Sequence, residues 1–425
     1  MMWWERKGHL QVKQNQLLIA GVNAAELAKQ FGTPLFVYNG SRIIENFRAI
    51  KEVFAEFKAK PKIHFAMKAN SHLAVLQLML REGAFIDAVS VNEVRIALKA
   101  GFAKEKILFT GTSVSNSELR ELIELGVAIN IDSMSQMRRL HSSGYKGDVS
   151  IRWNPGIGAG GHSHTITAGK FIKFGIPEKK IESAFREAKR FGLNVVGLHQ
   201  HIGSGWLGKD VDTFLETVDK TISVAKRAEQ ILGKKLDFVD FGGGPGVRYW
   251  EEQQDFPLQK YAKGIAEKMK ASGLKAEIAI EPGRFIVCDA GVLLCEITTV
   301  EEKNVPILGV NAGFNDLIRP AFYGAFHEMV VCNNVNSKQK KNFLVAGNLC
   351  ESGDVFNESR EKLRELPVPS EGDILAILNA GAYGFVMASN YNSRLLPACI
   401  LLLNGEAKVI RERQSLDELI GNERG

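Results

Sequence analysis

The chain has 425 residues, 45% of them hydrophobic and 24% charged, proportions that fit a soluble globular protein and exclude a disordered or fibrous one. Such a length suggests two domains, each large enough to bury a core. The net charge of +6 is spread along the chain with no dense Lys/Arg run interleaved with aromatics, which argues against nucleic acid and for small anionic ligands.

The first residues, Met1-Met2-Trp3-Trp4-Glu5-Arg6-Lys7, lack the pattern of a signal peptide. No apolar stretch approaches membrane-spanning length. Five cysteines, at 288, 295, 332, 350 and 399, are odd in number and show no CxxC pair. They point to a reducing, cytoplasmic setting. Short apolar runs at 10–12, 17–19 and 35–38 read as strands. From residue 40 to about 285, apolar runs at 63–67, 85–90, 107–110, 127–131, 149–153, 195–199, 237–241 and 276–280 alternate with amphipathic segments at 72–82, 92–100, 116–125, 134–142, 178–192, 210–232 and 257–272. Eight such strands predict a (β/α)8 TIM-type barrel over 39–285. An open doubly wound sheet is the alternative, and it needs neither eight units nor functional residues at every strand end. Beyond 286, runs at 292–300, 306–311, 329–332, 342–346, 374–379 and 398–403 predict a second, mainly β domain made of 286–425 together with 1–38.

The strand ends carry the chemistry. The first run stops at Lys68, the fifth at Arg152 and Asn154, the sixth at His199, His201, Gly203 and Ser204. The seventh stops at Gly242-Gly243-Gly244-Pro245-Gly246 and the eighth at Glu281-Pro282-Gly283-Arg284. In a barrel these ends share one mouth, where barrel enzymes keep their active sites. Lys68 alone is a weak signal, because most lysines after a strand are solvated. Placed where water is scarce, it is badly set for a salt bridge and well set to form a Schiff base with a carbonyl group. The three glycines read either as a tight turn or as backbone N–H groups bared for a phosphate. His201 is either a satisfied core histidine or a partner of its neighbour His199 on one strand face. The histidines of the loop 158–164 could suggest a metal, but a loop covering the substrate is the preferred reading and no metal is expected.

Phe-Ala-Met-Lys-Ala-Asn (65–70), His-Gln-His-Ile-Gly-Ser (199–204), Phe-Gly-Gly-Gly (241–244) and Glu-Pro-Gly-Arg (281–284) resemble the pyridoxal-phosphate decarboxylases of the alanine-racemase-like fold, fold type III. Segments 315–324, 349–354 and 381–385 are similar to the diaminopimelate decarboxylase branch of that family. The resemblance implies a pyridoxal 5'-phosphate cofactor linked to Lys68, with His201 stacked on its ring and Glu281 on its ring nitrogen. It implies that Ser204, Gly242, Gly243, Gly244 and Tyr383 hold the phosphate, with Gly283 and Arg284 also in the cofactor-binding set. Arg284, Arg319, Tyr323, Glu351 and Tyr383 would bind substrate, and Cys350 would return the proton. Cys350 and Glu351 would come from a partner subunit, which implies a homodimer with shared active sites. One departure is Gly205-Trp206 after His-Ile-Gly-Ser, where many relatives carry glutamine.

The chemistry supports the same reading. Decarboxylation leaves an electron pair on Cα, for which pyridoxal phosphate is a sink. A carboxylate such as Glu281 favours the protonated ring nitrogen that strengthens the sink. A racemase would do better with a weaker sink and two opposed bases. Diaminopimelate carries a second amino-acid centre, for which arginines supply carboxylate recognition and Glu351 ammonium recognition. The expected reaction is conversion of meso-2,6-diaminopimelate to L-lysine and carbon dioxide, the last step of lysine biosynthesis. Two alternatives stay open: a related decarboxylase acting on another basic amino acid or an aminoacyl group, and a non-catalytic homologue that keeps the fold.

Overall fold

Eight short strands, Lys62–Ala66, Phe85–Ala88, Ile107–Phe109, Ala128–Ile131, Asp148–Asn154, Asn194–His199, Phe238–Asp240 and Glu277–Ile280, run parallel in sequence order. The eighth returns to the first through Ala279↔Lys62 and Ile280↔Ile63, so the sheet closes into a barrel. The structure is a computed structural model, and it describes residues 2–158, 160, 167–208 and 210–424. All eight expected strands are present, and each of the seven expected helices lies within a residue of its predicted span. The helices have clear local causes. Ser90 and Ser133 accept the N–H three residues on, and Ser115 forms a reciprocal capping box with Glu118. The helices Leu73–Glu82 and Val91–Ala100 end on Gly83 and Gly101 in the left-handed region.

The helices Ala24–Phe31, Gly40–Glu56, Arg319–Tyr323 and Leu416–Ile420 were not expected, and the second of them bears on the barrel. Gly40–Glu56 precedes the first strand, while only the four-residue turn Arg284–Val287 follows the last. The longer helix joins Arg48 to Glu82 at 2.7 Å and sets Phe54 edge-on to Tyr261. It therefore lies between the first and last helices of the ring and closes it. Its apolar positions Ile43, Phe47, Ile50 and Phe54 are buried at helical spacing, so the signal was present in the sequence.

The barrel interior has two layers. At its N-terminal end Leu108, Ala128, Val196, Phe238 and Ala279 pack together. Above them the inward positions are polar: His64, Asp87, Asn130, Ser150, His199 and Asp240 are each no more than 5% exposed. Register pairs Asn130 with Ser150 and His199 with both Arg152 and Asp240, which puts them on one face.

The chain divides into two compact units, one made of residues up to Glu45, Arg248–Gln253 and Ile286 onward, the other of Asn46–Val247 and Gln254–Phe285. The former is mainly β. Its long strand Gly291–Glu302 pairs with Leu35–Asn39, Pro306–Val310 and Ile374–Ile377. Ala398–Leu403 runs parallel beside Leu35–Asn39, and Met329–Val331 pairs with Ile374–Ile377. A second sheet, Leu10–Lys13, Gln16–Ile19 and Val22–Asn23, leads into the helix Ala24–Phe31. Leu17, Ile19, Leu27, Val37, Val292, Leu294, Ala376 and Ile400 share its core. Strands Arg364–Pro367 and Glu406–Arg411 were not foreseen. They lie at the two ends of the large sheet, and Glu406–Arg411 is largely exposed, so it carries little apolar alternation. Among the described residues no helix is long and apolar enough to cross a membrane.

Gly197 lies where the sixth strand shifts register, and a Cβ there would run into the Phe238 ring. Gly197→Ala is expected to destabilise the barrel by about 1–3 kcal/mol, read as a lower urea midpoint. An unchanged midpoint would show that the ring moves aside freely.

Candidate active site

Lys68 stands on a single 3-10 turn, Met67–Ala69, directly after the first barrel strand. Its Nζ donates to Asp87 Oδ2 at 2.6 Å, and the Thr110 hydroxyl donates to the other oxygen of the same carboxylate. The side chain is 32% exposed while Asp87 is fully buried. This corrects the expectation of a poorly paired, desolvated amine: the position is well placed for an ion pair, and Asp87 on the neighbouring strand supplies it. Burial pushes the Asp87 carboxyl up, but Lys68 and Thr110 outweigh it and hold the group below its ordinary value. A lone acid inside the apolar run Phe85-Ile86-Asp87-Ala88 was the sequence signal for this partner.

His201 accepts the Gly243 N–H at Nδ1, 3.1 Å away. Burial, with the nearby charges of Arg152 and Lys68, pushes its pKa well below the usual value, so the ring is neutral and carries its proton on Nε2. Gly242 donates to Asp240 Oδ1 at 2.8 Å. Two of the three N–H groups expected to be bare are therefore already used inside the protein. The glycines are also forced by close approach: a Cβ would strike Gln200 O at Gly242, Glu281 O at Gly243 and the Trp206 ring at Gly244. Trp206 is fully buried, packed against Phe214. The departure at this position is a packing element under the glycine turn.

Glu281 follows the eighth strand and is 3% exposed. Its Oε1 lies 3.2 Å from His199 Nε2, off the line of an ideal hydrogen bond. Burial, then Asp87 and Asp240, raise its carboxyl above the ordinary value, and His199 opposes them. Arg284 Nε donates to Ser204 Oγ at 3.3 Å. Gly283 leaves no room for a side chain beside Ala66 O and Ala69 Cβ, each 3.0 Å from a Cβ built there. Lys68, His201, Ser204, Gly243, Gly244, Glu281, Gly283 and Arg284 are thus brought together at the strands' C-terminal ends. His64, Asp240 and Glu281 also converge, with donor atoms within 4.8 Å of one another, a set that could hold a cation and that the sequence did not single out. The glycine- and histidine-rich stretch around 158–164 falls largely outside the described residues, His162 and His164 included.

The remaining expected residues belong to the β-rich unit. Arg319 is buried, donates through Nε to His327 Nε2 at 3.3 Å and through Nη2 to Tyr249 Oη at 3.4 Å, and lies 5.7 Å from the Tyr323 ring centre. His327 donates from Nδ1 to Leu378 O, which fixes its tautomer. Cys350 and Glu351 are exposed on a loop that Asp354 ties down, accepting Leu349 N–H at 2.8 Å and Phe314 N–H at 2.7 Å. Tyr383 adopts a left-handed backbone, φ 55°, in the turn after Gly381, where a Cβ would strike Val287 O.

Beside Lys68 and Asp87, Glu93 accepts the Val89 N–H at 2.7 Å. Burial pushes its carboxyl from the usual 4.5 up to about 7. Between those values the folded protein keeps a proton that the unfolded chain has lost, so this group lowers stability as pH rises through the window. Unfolding free energy of the wild type relative to Glu93→Gln is expected to fall by about 1–3 kcal/mol between pH 4.5 and 7. A pH-independent difference in urea titrations would contradict it.

The model of the family described as pyridoxal-dependent decarboxylase, pyridoxal binding domain, matches residues 40–288. The diaminopimelate decarboxylase of Methanothermobacter thermautotrophicus is 41% identical over 420 residues, 97% of this chain and 95% of its own. The crystal structure of Helicobacter pylori diaminopimelate decarboxylase complexed with L-lysine superposes with a TM-score of 0.86 at 36% identity, covering 93% of this chain and 98% of that one. The M. jannaschii diaminopimelate decarboxylase in co-complex with L-lysine gives 0.89 at 31% identity, with 98% of both chains covered. The barrel with a lysine, a neutral imidazole and a buried carboxylate at its mouth, and the near full-length likeness, lead to one conclusion: the chain belongs to the pyridoxal-dependent decarboxylases, in the diaminopimelate decarboxylase family.

Proposed function

We propose that this protein decarboxylates meso-2,6-diaminopimelate to L-lysine and carbon dioxide with pyridoxal 5'-phosphate as cofactor. The observation that carries the reading is likeness along nearly the whole chain to diaminopimelate decarboxylases, two of them solved with L-lysine. The residues present fit the cofactor. Glu281 Oε1 is a buried carboxylate oxygen with no hydrogen-bond partner among the described residues, as a site for a protonated ring nitrogen requires.

When bound, pyridoxal phosphate supplies the electron sink that stabilises the carbanion left by departing carbon dioxide. In this reading Lys68 would hold the cofactor, and Asp87, bonded to its amine at 2.6 Å, orients it. His201, neutral, offers a flat face to the ring. Ser204, Gly244 and Tyr383 would hold the phosphate, with Gly243, Gly283 and Arg284 in the rest of the cofactor-binding set, since the Gly242 and Gly243 N–H groups already have partners. Arg284, Arg319, Tyr323, Glu351 and Tyr383 receive the substrate. Arg319 suits the distal carboxylate because its guanidinium is already held in one orientation by His327 and Tyr249. Cys350 donates the proton from Sγ that replaces the lost carboxylate.

The barrel of 39–285 serves as the cofactor domain, and residues 1–38 with 286–425 contribute substrate and interface residues. Exposure of Cys350, a residue type usually buried, supports a homodimer in which Cys350 and Glu351 complete the partner's site. The four other cysteines are buried and all five are free, in keeping with a cytoplasmic location.

Carbon dioxide release should occur with meso-diaminopimelate and not with lysine, ornithine or arginine; inactivity on the first would sink the assignment. Lys68→Ala and Cys350→Ala should each abolish most turnover. If sites are shared, mixing the two variants under subunit exchange should restore about a quarter of wild-type activity, because half the dimers then carry one intact site of two. No recovery would rule out sharing across the interface.

A further inference from the structure

We propose that His199 is a positioning residue for Glu281, its ring locked with the proton on Nε2 by a hydrogen-bonded file that runs from Ser150 through Asn130. The inference rests on the reading of Glu281 as the partner of the cofactor's ring nitrogen. Ser150 Oγ donates to Asn130 Oδ1 at 2.7 Å, and with the amide this way round its nitrogen faces His199. The Asn130 amide nitrogen then donates to His199 Nδ1 at 3.3 Å. A neutral imidazole that accepts at Nδ1 carries its one proton on Nε2. That is the atom 3.2 Å from Glu281 Oε1. Ser150, Asn130 and His199 are all 0% exposed, so water does not compete for these bonds.

The direction of the file matters because of what surrounds Glu281. Asp87 and Asp240 lie close enough to push its carboxyl toward the protonated form, and burial does so more strongly. A protonated Glu281 would lose the negative charge that favours a protonated ring nitrogen. The Nε2–H end of the His199 ring, 3.2 Å from Oε1 though off the line of a hydrogen bond, favours the ionised carboxylate. The opposite tautomer would aim a lone pair at it and favour the proton on Glu281. Because Ser150 and Asn130 come from the fifth and fourth strands, three strands act through one ring on the end of the eighth.

The test compares binding of pyridoxal phosphate with that of its analogue whose ring nitrogen is replaced by carbon, measured by absorbance titration of the cofactor-free protein. The proteins are the wild type, Glu281→Gln, Asn130→Leu and Ser150→Ala. Asn130→Leu removes the donor at Nδ1 without adding charge, so the ring proton is free to move to Nδ1 and leave a lone pair toward Glu281. It should weaken pyridoxal phosphate about tenfold, one pKa unit's worth, and the carbon analogue little. Ser150→Ala, a milder change that keeps the test open if Asn130→Leu folds poorly, should act in the same direction and less. Equal weakening of both cofactors, or none, in these variants would mean a purely structural role and overturn the proposal. If Glu281→Gln itself fails to distinguish the two cofactors, the assignment of Glu281 falls and the proposal with it. If Glu281→Gln discriminates and the other two do not, only the file is wrong.

Discussion

A charge removed from water must find its counterweight inside the protein, and the barrel interior is organised by that requirement. Where such barrels are ordinarily filled by layers of branched apolar residues, this one spends only its lower layer on packing, with Leu108, Phe238 and Ala279. The layer above holds three carboxylates, Asp87, Asp240 and Glu281, at 3% exposure or less. Each has a neighbour of opposite or switchable charge: Lys68 for Asp87, His64 for Asp240 and His199 for Glu281. The apolar plug beneath closes the barrel's lower end, and its low dielectric gives those pairs their strength.

How far this was readable in the sequence follows from periodicity. All eight barrel strands and seven of the helices stand in alternation with capping serines and terminal glycines, and each local signal agrees with the global one. The helix Gly40–Glu56 escaped because a strand-first count of βα units does not look for a helix ahead of the first strand. The edge strand Glu406–Arg411 escaped because it is largely exposed and carries no clear alternation to read.

The site divides along the same line. Residues at the ends of strands, such as Lys68, His201 and Glu281, announce themselves by interrupting an apolar run. Those buried within strands announce themselves less, because a polar residue inside a strand reads as an exposed face. Asp87, Asn130, Ser150 and Asp240 went unassigned for that reason, and only the register that turns them inward gives them a role. The glycine turn shows a converse limit. Gly242–Gly244 are needed as much by Gln200, Glu281 and Trp206 crowding them as by any ligand, and sequence spacing cannot separate the two demands.

The path of the chain has a consequence for synthesis on the ribosome. The barrel's strands and helices are drawn from one nearly continuous stretch, Asn46–Phe285, interrupted only by Arg248–Gln253. Each strand can add to the one just made, so contacts are local and the closed sheet can form while the rest is still being translated. The β-rich unit cannot do so. Its strand Leu35–Asn39 emerges early but pairs with Gly291–Glu302 and Ala398–Leu403. That strand waits with both edges unpaired until Gly291–Glu302 emerges, and its sheet is completed only when Ala398–Leu403 and Glu406–Arg411 follow.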